Sequence, residues 1–355
     1  MVTVETRPLG NSGLQISALG LGAMTFGGGG RYTRIGSLDQ DAANSMVSAC
    51  LDNGIFFFDT ANSYSAGASE TILGKAIGSK RDQAIVATKG FARIAPGPNN
   101  IGAGRNYLVR ACEESLRRLE TDYIDLYQLH NFDSMTPLEE TLAALESLVR
   151  SGKVRYIGVS NYAAWHLMKA LGISDRLRVS RFCSQQVKYS LLSREIEAEL
   201  VPLSLDQGVG VIVWSPLEGG LLSGKYRRDV PAPEGSRLSG AVSHGQLARV
   251  HDMTDLLLDL AGRHGATAGQ IALSYILHKP GVSSVLIGAK NEEQLVENLR
   301  AASIVLDESE IELLDRASEI PWSYPVSMYA TYGGERNPYY LRGRTWQDPM
   351  GGRGQ

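Results

Sequence analysis

Four residues of this 355-residue chain carry side chains that together could move a proton: Asp59, Tyr64, Lys89 and His130. A phenol is a poor acid near neutral pH, and a cation beside it makes it a better one. An aspartate keeps a neighbouring lysine charged and aimed, and an imidazole offers a second donor to the oxygen that receives the proton. Such a set suits proton transfer to an oxygen, with Tyr64 as the general acid. Each residue also has an ordinary reading, since an Asp after a strand is commonly a cap and a Lys or His at a strand end is commonly just solvated. Their placement decides between the two. Asp59 closes the apolar run "IFFF" (55–58), Lys89 closes "AIVAT" (84–88), His130 closes "IDLYQL" (124–129), and Tyr64 follows on the loop after Asp59. Three successive strand ends have no packing reason to direct Asp, Lys and His inward, where burial without partners is costly.

The elements that must position them alternate short apolar runs with longer helical patterns. "ALGLG" (18–22) leads to a helix over 40–53, "IFFF" to 68–77, "AIVAT" to 105–119, "IDLYQLH" to 137–150, "VRYIGVS" to 162–172, "RFCSQQV" to 194–206, "VGVIVWS" to 245–264 and "SSVLIGA" to 291–300. Eight such units without a composition break predict an α/β fold, a (β/α)8 TIM barrel, with its chemistry at the C-terminal strand ends. The chain 1–355 reads as one domain: an N-terminal β-hairpin turning about residues 11–13 within 1–18, the barrel and extra helices over 19–320, and an aromatic-rich tail over 321–355. In "MTPLEE", Thr136 is the predicted cap and Pro137 the first helical residue. In "LDESEIELL", Asp307 caps a ninth, C-terminal helix and Glu310 completes the capping box.

Composition narrows the partners. Lys+Arg 35 against Asp+Glu 38 gives a net charge of -3 with no basic block, which argues against a nucleic-acid partner. Cys50, Cys112 and Cys183 lie far apart in apolar patterns, as suits reduced core thiols. The N-terminus lacks a charged start followed by an apolar stretch, and no apolar run approaches the roughly 18 residues of a membrane span. The expectation is a soluble, cytoplasmic protein with a small-molecule partner, no membrane association and no metal, the six histidines showing no i, i+4 pair.

In order along the chain, "GLGAMTFGG" (within 19–29), "FDTANSYSAGASE", "ATKG", "SLRRLETDYIDLYQLHNFD", "LVRSGKVRYIGVSNY", "QQVKYSLL", "WSPLEGGLLSGKY" and "IGAKNEEQLVENL" resemble the aldo-keto reductases. By that resemblance the family's catalytic four fall on Asp59, Tyr64, Lys89 and His130. It also implies a nicotinamide nucleotide across the barrel mouth. Ser160, Asn161 and Gln186 would hydrogen-bond its carboxamide, Trp214 would stack on its ring, and Gly22, Ala23 and Met24 would line its wall. Ser215, Pro216, Leu217, Gly219 and Lys225 would meet the pyrophosphate. Gly288, Lys290, Gln294, Glu297 and Asn298 would meet the adenosine end, and Lys290 beside a helix start favours NADPH/NADP+ over NADH. The implied activity is NADP-dependent carbonyl reduction or alcohol oxidation. The alternative within the fold is a cofactor-binding, redox-sensing subunit with slow turnover.

Other motifs fail on mechanism. "GGLLSGKY" has phosphate-loop spacing, but Tyr226 stands where a hydroxyl should hold magnesium, and the glycines after "LGLG" open no helix of a dinucleotide fold. An aldolase with a Lys89 Schiff base conflicts with Asp59, which should keep that lysine charged. Ala23 stands where many aldo-keto reductases have threonine. The tail's Trp322, Tyr324, Tyr329, Tyr332, Tyr339, Tyr340 and Trp346 suit a pocket wall or a contact in a homo-oligomer, or packing on the barrel's outer surface.

Overall fold

The computed structural model describes residues 4–29, 32, 37–228, 230 and 244–328. Strands β1 (Thr6–Pro8) and β2 (Gln15–Ser17) pair as the expected antiparallel hairpin. Eight parallel strands then close into a barrel: β3 (Leu19–Gly22), β4 (Phe57–Asp59), β5 (Ile85–Gly90), β6 (Ile124–Leu129), β7 (Val154–Ser160), β8 (Ser184–Lys188), β9 (Gly210–Trp214) and β10 (Val282–Ile287). Strand β10 returns to pair with β3, which removes both sheet edges.

Side-chain alternation turns this frame into a site. The lower barrel interior is filled by Phe57, Ala87, Leu126, Ile212 and Leu286, against which the hairpin lays Leu9, Leu14 and Ile16. The hairpin fits closely, with Asn11 N donating to Gly208 O at 2.8 Å. A Cβ on Gly10, at φ +58, would meet Gly208 O at 2.4 Å, so only glycine suits that point. Because strand side chains alternate, the residue two beyond each of those apolar ones points inward one layer higher. That rule gives Asp59 after Phe57, Lys89 after Ala87, Gln128 after Leu126, Trp214 after Ile212 and Gly288 after Leu286.

The helices are α1 (Gln40–Asp52), α2 (Ala68–Ile77), α3 (Arg105–Leu119), α4 (Leu138–Arg150), α5 (Ala164–Leu177), α6 (Leu200–Gln207), α7 (His244–His264), α8 (Ala268–Leu277), α9 (Glu292–Leu299) and α10 (Glu308–Ala317). The sequence pattern missed α8. It is buried at every position and packs on β10, while α7, expected as the barrel helix, lies against α8. Thr267 and Gln270 start α8 with a reciprocal capping box. Helix α5 runs past Gly172, whose missing side chain leaves open space, because Ile173 and Ser174 bury beyond it. Helix α6 begins only at Leu200, after a 3-10 turn over Glu195–Glu197, with Pro202 in its first turn where no N–H is needed. At α4 the expected cap fails. Thr136 gives its hydroxyl to Asp133 at 2.7 Å, and Pro137 is the flanking residue rather than the first helical one. The Asp307–Glu310 box on α10 is present as expected.

Among the described residues no helix is long and apolar enough to cross a membrane. Of the tail aromatics, Trp322 is half-buried and Tyr324 is 83% exposed, whereas Tyr329, Tyr332, Tyr339, Tyr340 and Trp346 lie outside the described residues, as do parts of the loops 24–38 and 217–244.

Candidate active site

Strands β4, β5 and β6 bring Asp59, Lys89 and His130 to one side of the mouth, and the turn after β4 adds Tyr64. Lys89 is fully buried, and its ammonium uses all three donors. It makes a short bond to Asp59 Oδ1, and donates to Thr60 O at 2.9 Å and to Tyr64 Oη at 3.3 Å. The His130 ring lies edge-on to Tyr64 with centroids 5.7 Å apart. Burial alone would favour a neutral amine at Lys89, yet Asp59 and Tyr64 together hold its pKa above the ordinary lysine value. The Tyr64 phenol behaves differently from the sequence expectation. Burial pushes it above the usual tyrosine range, and the pull of Lys89 brings it back only in part.

Tyr64 stands on a strained turn. Ser65, Ala66 and Gly67 follow it at φ 49, 56 and 94, three successive left-handed residues of which two are not glycine. The surroundings hold this conformation in place. Ser65 Oγ donates to Phe26 O at 3.1 Å and accepts from Gly28 N at 3.0 Å. Gly67 abuts Arg118, whose Cδ would lie 2.9 Å from an added Cβ. Arg118 Nε then bonds Glu70 Oε2 at 2.6 Å, and Thr88 gives its hydroxyl to Glu70 Oε1 at 2.6 Å. Glu70 is fully buried, so the start of α2 is fixed by an ion pair directly behind the tyrosine turn.

The opposite side of the mouth carries the residues assigned to a nucleotide. Ser160 Oγ donates to Gln186 O at 3.0 Å, and Asn161, at φ 57, gives its amide to His130 O and to Ser160 Oγ, both at 3.0 Å. Gln186 turns its amide nitrogen to Asp59 Oδ2 at 2.8 Å. Trp214 is half-buried with an unpartnered Nε1. Ala23 is buried, with Gly22 and Met24 half-buried beside it. After β9, Ser215, Glu218, Gly219 and Gly220 have φ of 56, 49, 64 and 100, a tight winding closed by Glu218 N donating to Ser215 O at 3.0 Å and Gly220 N to Leu217 O at 2.8 Å. Pro216 is buried and Leu217 half-buried within that segment. Lys225 reaches back over it, its Nζ 3.0 Å from where a Gly220 Cβ would be. Burial, and then the charge of Lys290, hold Lys225 below the ordinary lysine range. The charge of Lys290 thus reaches Lys225, and among the described residues neither lysine forms an ion pair. At α9, Asn291 caps Gln294 N at 2.9 Å and Gln294 accepts from Lys290 N at 2.9 Å. Glu297 is exposed and Asn298 buried on the same helix, and the space above Gly288 is open.

A family description, "Aldo/keto reductase family", matches residues 18–319. The chain belongs to the aldo/keto reductase family. It is 38% identical over 338 residues to an "Uncharacterized oxidoreductase" of Bacillus subtilis (strain 168), covering 92% of this chain and 100% of that protein. It is also 34% identical over 333 residues to a "Probable voltage-gated potassium channel subunit beta" of Arabidopsis thaliana, covering 91% and 98%. A protein of the same description from Oryza sativa subsp. japonica is 34% identical over 311 residues, covering 85% and 92%. The family description is that of a reductase, and the coarse class of this chain is oxidoreductase.

Within this aldo/keto reductase, sequence reasoning overlooked three residues around the site: Glu70, Arg118 and Gln128. Gln128 is fully buried and donates to Asp59 Oδ2 at 3.0 Å. Its signal was present, because an amide in the strand run "IDLYQL", two residues before His130, shares that residue's inward face.

Proposed function

We propose that this chain transfers a hydride between NADP(H) and a small carbonyl or alcohol substrate, with Tyr64 as general acid in reduction and general base in oxidation. The observation that carries the reading is the Lys89 ammonium divided among Asp59, Thr60 and Tyr64 at the floor of a mouth whose far rim suits a nucleotide. The residues present fit such a group. Trp214 offers an indole face, Gln186 keeps its amide oxygen after committing its nitrogen to Asp59, and among the described residues Lys225 and Lys290 form no ion pair.

A bound nicotinamide would supply the hydride. The protein's own part is proton handling and charge placement. A substrate carbonyl oxygen set between Tyr64 and His130 receives the Tyr64 proton as negative charge develops on it. The remaining phenolate is then balanced by Lys89, which Asp59 keeps charged. The same charge disfavours Lys89 as a Schiff-base nucleophile. A steady-state assay with a panel of aldehydes and ketones tests the reading, and failure of NADPH to support turnover of any of them would overturn it.

The protonation state of Tyr64 sets the pH dependence. Its raised pKa keeps the phenol protonated through neutral pH. Carbonyl reduction should therefore be flat near neutrality and decline only as pH passes the ordinary tyrosine value of about 10. Alcohol oxidation, which needs the phenolate, should rise over that window. A reduction rate already falling near pH 7 would assign the acid to another group, His130 first.

Lys290 beside the start of α9 supports NADPH over NADH, as a 2'-phosphate there would meet its charge. Lys290→Ala should weaken NADPH by about 1.5 to 3 kcal/mol, the worth of a charge-assisted hydrogen bond, and leave NADH unchanged. Equal losses in fluorescence titrations of both nucleotides would make Lys290 structural. A second reading is favoured by the channel-subunit names of two relatives: a nucleotide-holding subunit of a larger assembly, with slow turnover. Tight NADPH binding without appreciable carbonyl reduction would select it. The free cysteines, with thiols pushed up to about 12 by burial at Cys50 and Cys112, suit a cytoplasmic location.

A further inference from the structure

We infer that Gln128 is a positioning residue for the proton-transfer site, acting through Asp59; this rests on the reading of Tyr64 as the acid. Asp59 divides its two oxygens. Oδ1 is given to Lys89, while Oδ2 accepts from Gln128 Nε2 at 3.0 Å and Gln186 Nε2 at 2.8 Å. An ionised carboxylate only accepts, so both glutamines must turn their nitrogens toward it. Gln186 also reaches Gln128 Oε1 at 3.4 Å, which closes a small amide cluster on one side of the carboxylate.

The barrel makes room for this arrangement. Lys89, Gln128, Gly158 and Ser184 lie abreast on adjacent strands. A Cβ on Gly158 would stand 2.4 Å from Ser184 Oγ and 3.3 Å from Gln128 Cγ, so the glycine leaves the space that the long amide crosses. Gln128 touches neither Tyr64 nor the substrate side of the mouth. Its effect passes through Asp59: with Oδ2 engaged by two amides, the carboxylate's pull on Lys89 is tempered, and the ammonium stays within reach of Tyr64 Oη at 3.3 Å. Without Gln128, Asp59 draws Lys89 more strongly, the Lys89–Tyr64 bond lengthens, and the phenol is harder to ionise.

The test is the titration of Tyr64 followed by NMR on protein labelled with carbon-13 at tyrosine Cζ, its signal identified by loss in Tyr64→Phe. This readout needs no turnover. Gln128→Met, of similar shape and without donors, should move the Tyr64 midpoint upward by about one unit, a tenfold change in its proton equilibrium. Gln128→Glu, which sets a second carboxyl against Asp59, should move it further in the same direction. If the methionine variant does not fold, the glutamate variant carries the test. The high-pH limb of alcohol oxidation should shift in parallel, with the Kd for NADPH little changed. A merely structural role would lower thermal stability and leave the midpoint in place, and that result would overturn the inference. A shifted midpoint in a protein whose unsubstituted form turns over no carbonyl would instead overturn the catalytic reading and leave the positioning role standing.

Discussion

Tyr64→Phe is expected to lower kcat for carbonyl reduction by at least the roughly 10²-fold typical of lost acid catalysis, with NADPH affinity nearly unchanged. The substitution removes one oxygen. It leaves the ring against His130 and the left-handed turn of Ser65, Ala66 and Gly67, which is held by Ser65 and Arg118 rather than by the phenol. It leaves Lys89 its bonds to Asp59 and Thr60. No residue assigned to the nucleotide bonds the Tyr64 hydroxyl, so binding and chemistry should separate cleanly. Stopped-flow reduction and a nucleotide titration on the same preparation would check this. Turnover within a few-fold of the unsubstituted protein would remove Tyr64 from the mechanism.

The second large effect falls on stability. Arg118→Met should destabilise the fold by about 3 kcal/mol, the lower end of what breaking a buried ion pair costs, since the arginine is partly exposed while Glu70 is wholly buried. Thr88 would remain as a hydrogen-bond donor to Glu70, but no positive charge would face it. Urea unfolding measures the loss. The double variant Glu70→Gln with Arg118→Met should recover most of it, because the stranded carboxylate and not the missing guanidinium is the source of the cost. Additive losses would show that Arg118 matters through its packing on Gly67. Activity should fall in the single variant even at temperatures where it is folded, because the same contact braces the turn that carries Tyr64.

The barrel was legible because its strands end in polar residues at regular intervals and each is followed by a helical pattern. What escaped was written in less periodic form. Helix α8 has no solvent face, so "GQIALSYIL" shows no amphipathic rhythm, and only the Thr267–Gln270 capping pattern announced it. Arg118 sits on an amphipathic helix where arginines ordinarily face water, and nothing local says that Glu70 waits across the gap. Gln128 lies in an apolar run where one amide reads as an irregularity. The direction of the Tyr64 shift failed for a related reason. Lys89 could be paired with it from the sequence, but the depth of burial that outweighs the lysine is a property of the closed barrel.

The hairpin that fills the lower barrel has a consequence for the traffic of protons. Leu9, Leu14 and Ile16, packed against Phe57, Ala87, Leu126, Ile212 and Leu286, lay apolar side chains beneath the tetrad, with Tyr156 and Cys183 against the same cluster. That apolar layer is a poor path for protons. On the proposed function, a Tyr64 that has given up its proton would be recharged more readily by water from the mouth, the passage through which the alcohol would leave. Recharging and departure then become successive uses of one channel, and a bulky product that lingers there would delay the next proton as well as the next substrate.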